Sequence, residues 1–383
     1  MATTVTRVDE VLARLATVES PSDPVVSLYL DLRPDQNGRR RPEEFFNRAF
    51  NEQIETFEPS SSARRLLQKD ADRIRRFLET GVPPSAKTGV VFSCSGDPDL
   101  FETLQLDAPI DGHRLYIDRQ PHLFPLARLA DEYARYAALL VDTNSARLYV
   151  VAIGSVQRKL LVQNEKPSRT PGVDVFSEGE YQRNSENLHL RHMKEVAAVV
   201  DRVLREDGIR QIFVAAGPVA LPMVRDALSL DAQQKMVEIS NLDMKSPDAS
   251  VLRATFDAFR QADHQSDRDD VVRVLNAFRA RGLGTIGLPR VRAALTLGQV
   301  DRLLVPAVPA AASADEVSPD VNASIERPAQ SPLHEATIED LVLLARRTDA
   351  AVTFIEDASL LIPAGGVAAF LRFRLADPEA GRE

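Results

Sequence analysis

The chain is poor in the features that mark secreted, membrane-spanning and cysteine-ligated metal proteins. Its 383 residues contain a single cysteine, Cys94, and no tryptophan. One thiol can form neither an internal disulfide nor a cysteine-based metal site. No run approaches the ~20 apolar residues of a membrane helix, and the stretch MATTVTRVDEVLARL lacks the basic start and apolar core of a secretory signal. We therefore expect a cytoplasmic protein with no membrane partner.

The chain also lacks an excess of positive charge. A formal net charge of −9 argues against a protein that coats nucleic acid indiscriminately, because neutralising phosphates requires a basic face. One segment departs from this balance: residues 158 to 194 hold seven lysines and arginines against five acidic residues. A local basic patch is therefore compatible with the acidic whole.

Length and apolar periodicity predict an α/β protein of three domains. A chain of 383 residues is too long for one ordinary core. The predicted ranges are 1–128 for an N-terminal α/β domain, 129–265 for the middle domain and 266–383 for the last. The highly charged stretch HQSDRDD, residues 264–270, marks the second boundary.

Individual elements of the first two domains follow from their apolar spacing. The run from Val25 to Leu32 predicts a buried strand, and two amphipathic helices follow with their apolar positions at Phe46, Phe50, Ile54 and Phe57, then Leu67, Ala71, Ile74 and Leu78. In the middle domain, YAALLVDTNSARLYVVAIG predicts a hairpin that turns at Asp142 to Ser145, and QRKLLVQNE predicts a third strand. The domain continues with a long amphipathic helix, a buried strand over residues 212–216 and further helices, the last over about 250–262. Together these elements predict an α/β domain with a mixed sheet.

In the last domain, the sequence predicts helices and strands on either side of a stretch of different composition. Residues 306–334 are rich in proline, alanine and serine without apolar periodicity, which predicts a disordered insertion. Gly282, Gly284 and Gly287 form G-x-G-x-x-G, but the motif does not lie between the strand and helix of a dinucleotide-binding unit. We therefore expect no cofactor.

A polar segment before the long helix of the middle domain is the strongest candidate for a functional site. The helix has one buried face, predicted from the spacing of Val196, Val199, Val200, Val203 and Leu204. Ahead of this face lies a dense set of hydrogen-bond donors and cations, of which the candidates for RNA binding are Arg183, Asn187, His189, Arg191 and Lys194. An ordinary solvated helix face is the alternative interpretation of the same residues. His189 and His192 have i, i+3 spacing, but no HExxH pattern or cysteine accompanies them, so we expect solvated histidines and no metal.

The order of these elements resembles a known family. The hairpin YAALLVDTNSARLYVV, the segment GEYQRNSENLHLRHMKEVAAVV, and then GQVDRLLVP, IEDLVLLARRTDAAVTFIEDA and GGVAAFLRFR carry the resemblance over roughly residues 130–383. The chain resembles the bacterial relatives of archaeal and eukaryotic class-one peptide-chain release factors and of Pelota.

The resemblance implies both a fold and a place of action. It implies a ribonuclease-H-like middle domain and a last domain like the kink-turn-binding ribosomal proteins. The implied partners are the ribosome, through its ribosomal RNA and the acceptor end of tRNA in the A site, and a translational GTPase. In release factors the loop of the middle domain carries Gly-Gly-Gln, whose glutamine helps to position water at the peptidyl-tRNA ester.

The chain departs from the family at this catalytic motif. No Gly-Gly-Gln occurs in it, and the closest local match places Glu178 where glutamine is expected. An ionised carboxylate only accepts hydrogen bonds and is repelled by a phosphate-rich centre. Gln182 follows four residues later and is the second candidate. The sequence therefore predicts a non-catalytic ribosome-associated factor acting in hibernation or rescue.

Two alternatives stay open at this stage. The chain could be an active peptidyl-tRNA hydrolase that uses Gln182 or Glu178 in an altered loop. It could instead be an RNA-binding or nuclease-like protein that does not act on ribosomes. Nuclease chemistry with paired metals needs several converging carboxylates, which this region does not supply, so we expect Asp142 to serve the hairpin turn.

Overall fold

The computed structural model describes residues 4–18, 23–83, 85–163, 178–308 and 333–374. Within these ranges the chain forms three sheets covered by helices, which confirms the predicted α/β class. Contacts divide the chain into two units, one made of Met1–Tyr133 together with His264–Glu383 and the other of Ala134–Asp263. The predicted domain boundaries, and the likeness of single domains to ribonuclease H and to kink-turn-binding proteins, remain predictions. Most of the predicted polar loop and of the predicted insertion lies outside the described residues.

The amino-terminal part of the first unit is an antiparallel sheet with helices packed on it. Its strand order is β3-β2-β1-β4. The predicted apolar positions of the two helices are buried against this sheet, because each helix repeats its apolar residues once per turn. The exception is Phe57, which follows the end of the first helix and is only partly buried. The elements are α1 Thr4–Ala16, β1 Val25–Asp31, α2 Pro42–Ile54, α3 Ser62–Thr80, β2 Thr88–Cys94, β3 Leu100–Leu106, β4 Arg114–Asp118 and α4 Phe124–Glu132.

The middle unit is built on the mixed sheet that the sequence predicts. Its order is β7-β6-β5-β8-β9, in which β5, β6 and β7 are antiparallel neighbours and β8 and β9 run parallel to β5. One face is covered by α5, and on the other face the ring of Phe259 stacks on that of Tyr136 with centroids 5.2 Å apart. The elements are β5 Tyr136–Val141, β6 Ser145–Ala152, β7 Ser155–Gln163, α5 Glu178–Glu206, β8 Ile212–Ala216, α6 Ala220–Ala227, α7 Leu230–Gln234, β9 Met236–Glu238 and α8 Asp248–Arg279.

The carboxyl-terminal part of the first unit is a smaller sheet of order β10-β13-β11-β12. Strands β11 and β12 are parallel and the other pairs are antiparallel. Ile338, Leu341, Val342 and Ala345 all lie buried on one helix. The elements are β10 Gly284–Ile286, α9 Leu288–Thr296, β11 Val300–Pro306, α10 Glu335–Arg347, β12 Ala351–Ile355, a 3-10 helix Ala358–Ala364 and β13 Ala368–Leu371.

The charged stretch 264–270 begins where the contacts divide the two units, between Asp263 and His264, and it lies inside α8. Two of its carboxylates are buried and satisfied. Asp270 is 6 % exposed and accepts a hydrogen bond from Arg302 at 2.8 Å and another from Arg273. Asp267 is 3 % exposed and accepts from the backbone N–H of Glu356 at 3.3 Å. A buried charge is tolerated when it is paired in this way, so the run of charges is compatible with a helix.

A polar cluster joins the two parts of the first unit. Tyr116 donates a hydrogen bond of 2.6 Å to the Glu335 carboxylate, and His122 Nε2 lies 3.2 Å from the same carboxylate. The rings of Tyr116 and His122 are stacked with centroids 3.7 Å apart, and Arg114 completes the set at 3.4 Å from Glu335. The pKa of Glu335 is lowered to about 2, first by the hydrogen bond from His122 and then by the hydrogen bond from Tyr116 and the charge of Arg114.

A second carboxylate of α10 caps the beginning of α4. Glu339 accepts the backbone N–H groups of Leu123 and Phe124, each at 2.7 Å. These are amides that a helix leaves without an internal partner, and the Leu123 side chain cannot cap them itself. Burial raises the pKa of Glu339, while His122 and the two amides oppose that shift. The carboxyl-terminal helix therefore completes an element of the amino-terminal part.

Candidate functional site

The predicted catalytic segment straddles the edge of the described structure. Residues 164–177 lie outside it, and α5 begins at Glu178. Glu178, Gln182 and Arg183 therefore fall in the first two turns of the helix, and their side chains lie outside the described part as well. The catalytic roles proposed for Glu178 and Gln182 and the binding role of Arg183 remain predictions.

The buried face of α5 is the one that the periodicity predicts. Val196, Val200, Val203 and Leu204 are at most 3 % exposed, and Val199 packs beside them against the sheet. The same face begins one turn earlier, at His192 and Met193, both fully buried. The sheet therefore holds α5 in one rotational setting, which fixes the residues that face solvent.

His192 corrects the prediction of two solvated histidines. Its side chain is fully buried, next to the backbone of Ser145. Burial lowers the pKa of His192, and the Ser145 backbone and the carboxylates of Glu195 and Asp142 oppose this shift, so the neutral ring predominates at neutral pH. His189 is half-buried. In the described ranges, no group of three or more histidine, cysteine, aspartate or glutamate side chains is arranged to hold a metal ion.

The structure separates the predicted RNA-binding residues into two groups. Asn187, Arg191 and Lys194 are exposed and share one face, since they follow one another at i, i+4 and i+7. His189 is turned by about 160° from Arg191, toward the side that the helix buries. The exposed group is therefore smaller than predicted.

The exposed face also continues further along α5 than the sequence prediction. Arg202 and Arg205 are exposed and lie in line with Arg191 and Lys194. We call these four residues, with Ala198 between them, the outer face of α5. None of the four cations makes an ion pair or hydrogen bond with another described side chain. Their spacing opposite the buried valines is the signal that could have identified them.

Two other cations of the middle unit, Arg158 and Lys159, are neutralised by carboxylates. Arg158 pairs with Glu206 at 3.4 Å and with Asp207 at 3.7 Å. Lys159 donates to Asp248 at 2.7 Å. These two residues contributed to the local positive balance in the sequence, but their charge is compensated within the fold. The cations of the outer face of α5 have no such partner among the described side chains.

Asp142 has the structural role that the sequence predicts. Its Oδ1 accepts the backbone N–H groups of Asn144 and Ser145 at 2.8 and 2.7 Å, and the Ser145 hydroxyl at 3.1 Å. The carboxylate thus satisfies the donors of the hairpin turn.

The glycine motif of the last segment also has a structural explanation. A Cβ on Gly284 would lie 2.8 Å from the Val274 carbonyl oxygen and 2.9 Å from the Phe278 nitrogen, so β10 approaches α8 too closely for any side chain. Gly287 precedes α9 with a φ of +81°, a backbone angle that favours glycine. The packing accounts for these two glycines without a nucleotide.

No described helix is both long enough and apolar enough to cross a membrane.

Comparison with known proteins identifies the class of the middle segment. Residues 121–260, about a third of the chain, match the family model described as bacterial archaeo-eukaryotic release factor family 10. This confirms the resemblance predicted from the sequence. The matched segment is thus similar to a bacterial family of archaeo-eukaryotic release factors.

Solved structures of the superfamily are similar at low sequence identity. An archaeal translation termination factor, aRF1, is 17 % identical over 96 % of this chain and 98 % of its own, with a TM-score of 0.26. A model of ribosome-bound archaeal Pelota and ABCE1 gives 15 % over 96 % and 95 %, with a TM-score of 0.43. Dom34 of S. cerevisiae, a translation termination-like factor, gives 14 % over 71 % and 77 %, with a TM-score of 0.38. A search of curated proteins found no match.

Proposed function

We propose that this protein is a ribosome-associated translation factor that acts through the A site in hibernation or rescue, without hydrolysing the peptidyl-tRNA ester. The observation that carries the proposal is the exposed, unneutralised charge of Arg191 and Lys194 on the helix that follows the family's functional loop. Its partners would be ribosomal RNA and the tRNA acceptor end, with a translational GTPase for delivery, in the cytoplasm.

The electrostatics of α5 favour a polyanionic partner. An exposed cation that already has a carboxylate partner must give that partner up to bind a phosphate, as Arg158 and Lys159 would. Arg191 and Lys194 have no such competitor among the described residues. Phosphate contacts made by such side chains contribute most of the sequence-independent affinity of RNA-binding proteins.

The absence of Gly-Gly-Gln motivates the non-catalytic part of the proposal. Glu178 occupies the position nearest to the expected glutamine. Its carboxylate offers no N–H to a water or to the ester, and its negative charge opposes the negative charge that develops on the oxygen during acyl transfer. The binding surface of α5 does not depend on this position.

Sucrose-gradient sedimentation tests the proposed function. The tagged full chain would be followed in extracts from growing and from starved cells, each at two salt concentrations. We expect comigration with ribosomes, weakened by salt and by the double substitution Arg191→Gln/Lys194→Gln. The matched control is Lys69→Gln/Arg76→Gln, which removes two exposed cations from α3. Wild-type protein that stays at the top of every gradient would refute the proposal.

Peptidyl-tRNA hydrolysis is the second candidate function. Gln182 lies in the first turns of α5, close in sequence to the predicted polar loop. This position favours hydrolysis, because the catalytic glutamine of release factors lies in the corresponding loop. Release of nascent peptide from purified ribosome complexes, abolished by Gln182→Ala, would support the hydrolase. Release that is absent in the wild type, or unchanged in the variant, would remove Gln182 from consideration.

A further inference from the structure

The outer face of α5 is narrow, straight and long. At 100° per residue, Arg191, Lys194, Ala198, Arg202 and Arg205 fall within an arc of about 80° on the helix surface. At 1.5 Å per residue, the face extends about 21 Å from its first to its last cation. All five residues are exposed.

The four cations form two pairs with a gap between them. Arg191 and Lys194 are about 4.5 Å apart along the helix axis, and so are Arg202 and Arg205. The centres of the two pairs are about 16 Å apart. Ala198 lies in the gap, where its methyl group leaves the helix backbone open to close approach.

Acidic residues border the outer face but do not enter it. Asp201 lies on one side and accepts a hydrogen bond from the Ser229 hydroxyl at 2.7 Å. Glu206 lies on the other side and is paired with Arg158. Glu195, also on that side, is exposed. The positive charge is therefore confined to a single line along the helix.

We infer that the outer face of α5 binds double-stranded RNA across its minor groove, with each pair of cations on the phosphates of one strand and Ala198 over the groove floor. This deepens the proposed function, on which it rests for its RNA partner. An A-form duplex has a wide, shallow minor groove and a deep, narrow major groove that side chains cannot read. A helix that lies across this shallow groove can place its two cation pairs, about 16 Å apart, on the phosphates of opposite strands.

The outer face of α5 is poorly suited to single-stranded nucleic acids. A flexible single strand is held chiefly by stacking of its bases on aromatic side chains, and the outer face carries none. Recognition would also be independent of base sequence, since the four cations reach phosphates and alanine offers no hydrogen bond to a base. The surface therefore fits a stem of folded RNA.

Fluorescence anisotropy with the full chain tests the inference directly. The probes are a labelled RNA hairpin with a long stem, the single strand of one arm, and a DNA duplex of the same sequence. We expect the hairpin to bind most tightly. Four phosphate contacts predict a slope of about −3 to −4 for the logarithm of affinity against the logarithm of salt concentration, or roughly a hundredfold loss between 50 and 200 mM salt.

Substitutions at each end of the outer face test whether both pairs participate. Arg202→Gln/Arg205→Gln and Arg191→Gln/Lys194→Gln should each reduce the salt slope by about 2 and weaken hairpin binding about tenfold at 200 mM salt. Lys69→Gln/Arg76→Gln on α3 should change binding less than twofold. All of these side chains are exposed, so folding is not at risk.

Ala198 tests the position of the groove. Ala198→Glu places a carboxylate between the two cation pairs and should weaken binding about tenfold. Gln68→Glu adds the same charge at an exposed position of α3 and should leave binding within about twofold. Glu195→Gln removes a carboxylate that borders the outer face and should tighten binding.

The outcomes separate this inference from the proposed function. Equal or tighter binding of the single strand, or an unchanged affinity of the Arg202→Gln/Arg205→Gln variant, overturns the duplex surface even if the wild type cosediments with ribosomes. Hairpin binding that depends on both cation pairs supports the inference. If the wild type then fails to cosediment, the proposed function is lost and the RNA surface stands.

Discussion

Replacing Glu335 by glutamine is the perturbation whose size the structure predicts best. The carboxylate receives Tyr116, His122 and Arg114, and its side chain is only 29 % exposed. A pKa of about 2 in the folded protein, against an ordinary value of 4.5, corresponds to about 3 kcal/mol of stability at neutral pH. Glu335→Gln keeps the shape of the side chain and removes its charge, so up to that amount should be lost from the first unit.

The dependence on pH provides a second, independent check. A carboxylate whose pKa is lowered by folding contributes its full stability above the unfolded pKa, and loses it as pH falls through the folded pKa. The contribution of Glu335 should therefore be complete at pH 7 and decline between about pH 4.5 and 2. At pH 3.5 the difference between wild type and variant should be about 1.4 kcal/mol smaller than at pH 7.

Guanidinium unfolding at pH 7 and 3.5 would measure the difference in unfolding free energy between wild type and Glu335→Gln at each pH. Pulsed hydrogen exchange with mass spectrometry would follow the peptides that cover β4 and α10. Glu44→Gln is the matched control, since Glu44 pairs with Arg41 while remaining 67 % exposed. An exposed pair of this kind is worth at most about 0.5 kcal/mol. A Glu335→Gln protein that unfolds at the same denaturant concentration as the wild type, or a difference that does not shrink at pH 3.5, would refute the reasoning.

Three further substitutions test structural roles described above. Asp270→Asn weakens a buried contact to Arg302 and should cost about 2–4 kcal/mol, measured by hydrogen exchange of α8. Gly284→Ala should cost about 1–3 kcal/mol by thermal unfolding, because its Cβ would lie 2.8 Å from a backbone atom. The control is Gly217→Ala, where that space is open, and an equal loss of Tm in both variants would contradict this explanation. Asp142→Ala should cost about 1–2 kcal/mol and accelerate exchange in the β5–β6 turn, and no change there would discard its turn role.

The elements that could be predicted are those whose apolar residues repeat with one period. Strand β1, the β5–β6 hairpin and the buried face of α5 each follow from local spacing, which is a property of the sequence itself. Strand β4 and helix α4 were not predicted. The cap of α4 comes from Glu339, which is 216 residues away in sequence, and no local pattern announces it.

The errors concern charged and polar residues whose partners are distant in sequence. The helix predicted to end near residue 262 continues through 264–270. There the buried carboxylates of Asp270 and Asp267 contact Arg302 and Glu356, which are distant in sequence. His192 lies four residues before Val196 and so on the face that the apolar spacing predicts to be buried, but the prediction followed its polar type and its spacing from His189. In the candidate site, the sequence pattern identified Arg191 and Lys194 as binding residues, but the prediction did not include Arg202.

The dependence of α4 on Glu339 has a consequence for synthesis of the chain. Ribosomes add about 5–20 residues per second, so roughly 10–40 seconds separate the emergence of Leu123 from that of Glu339. During this interval the first amides of α4 have no protein acceptor from α10, and the surface that later receives α10 is open. Helix α4 is thus synthesised early but receives its cap only after the whole middle unit has been synthesised.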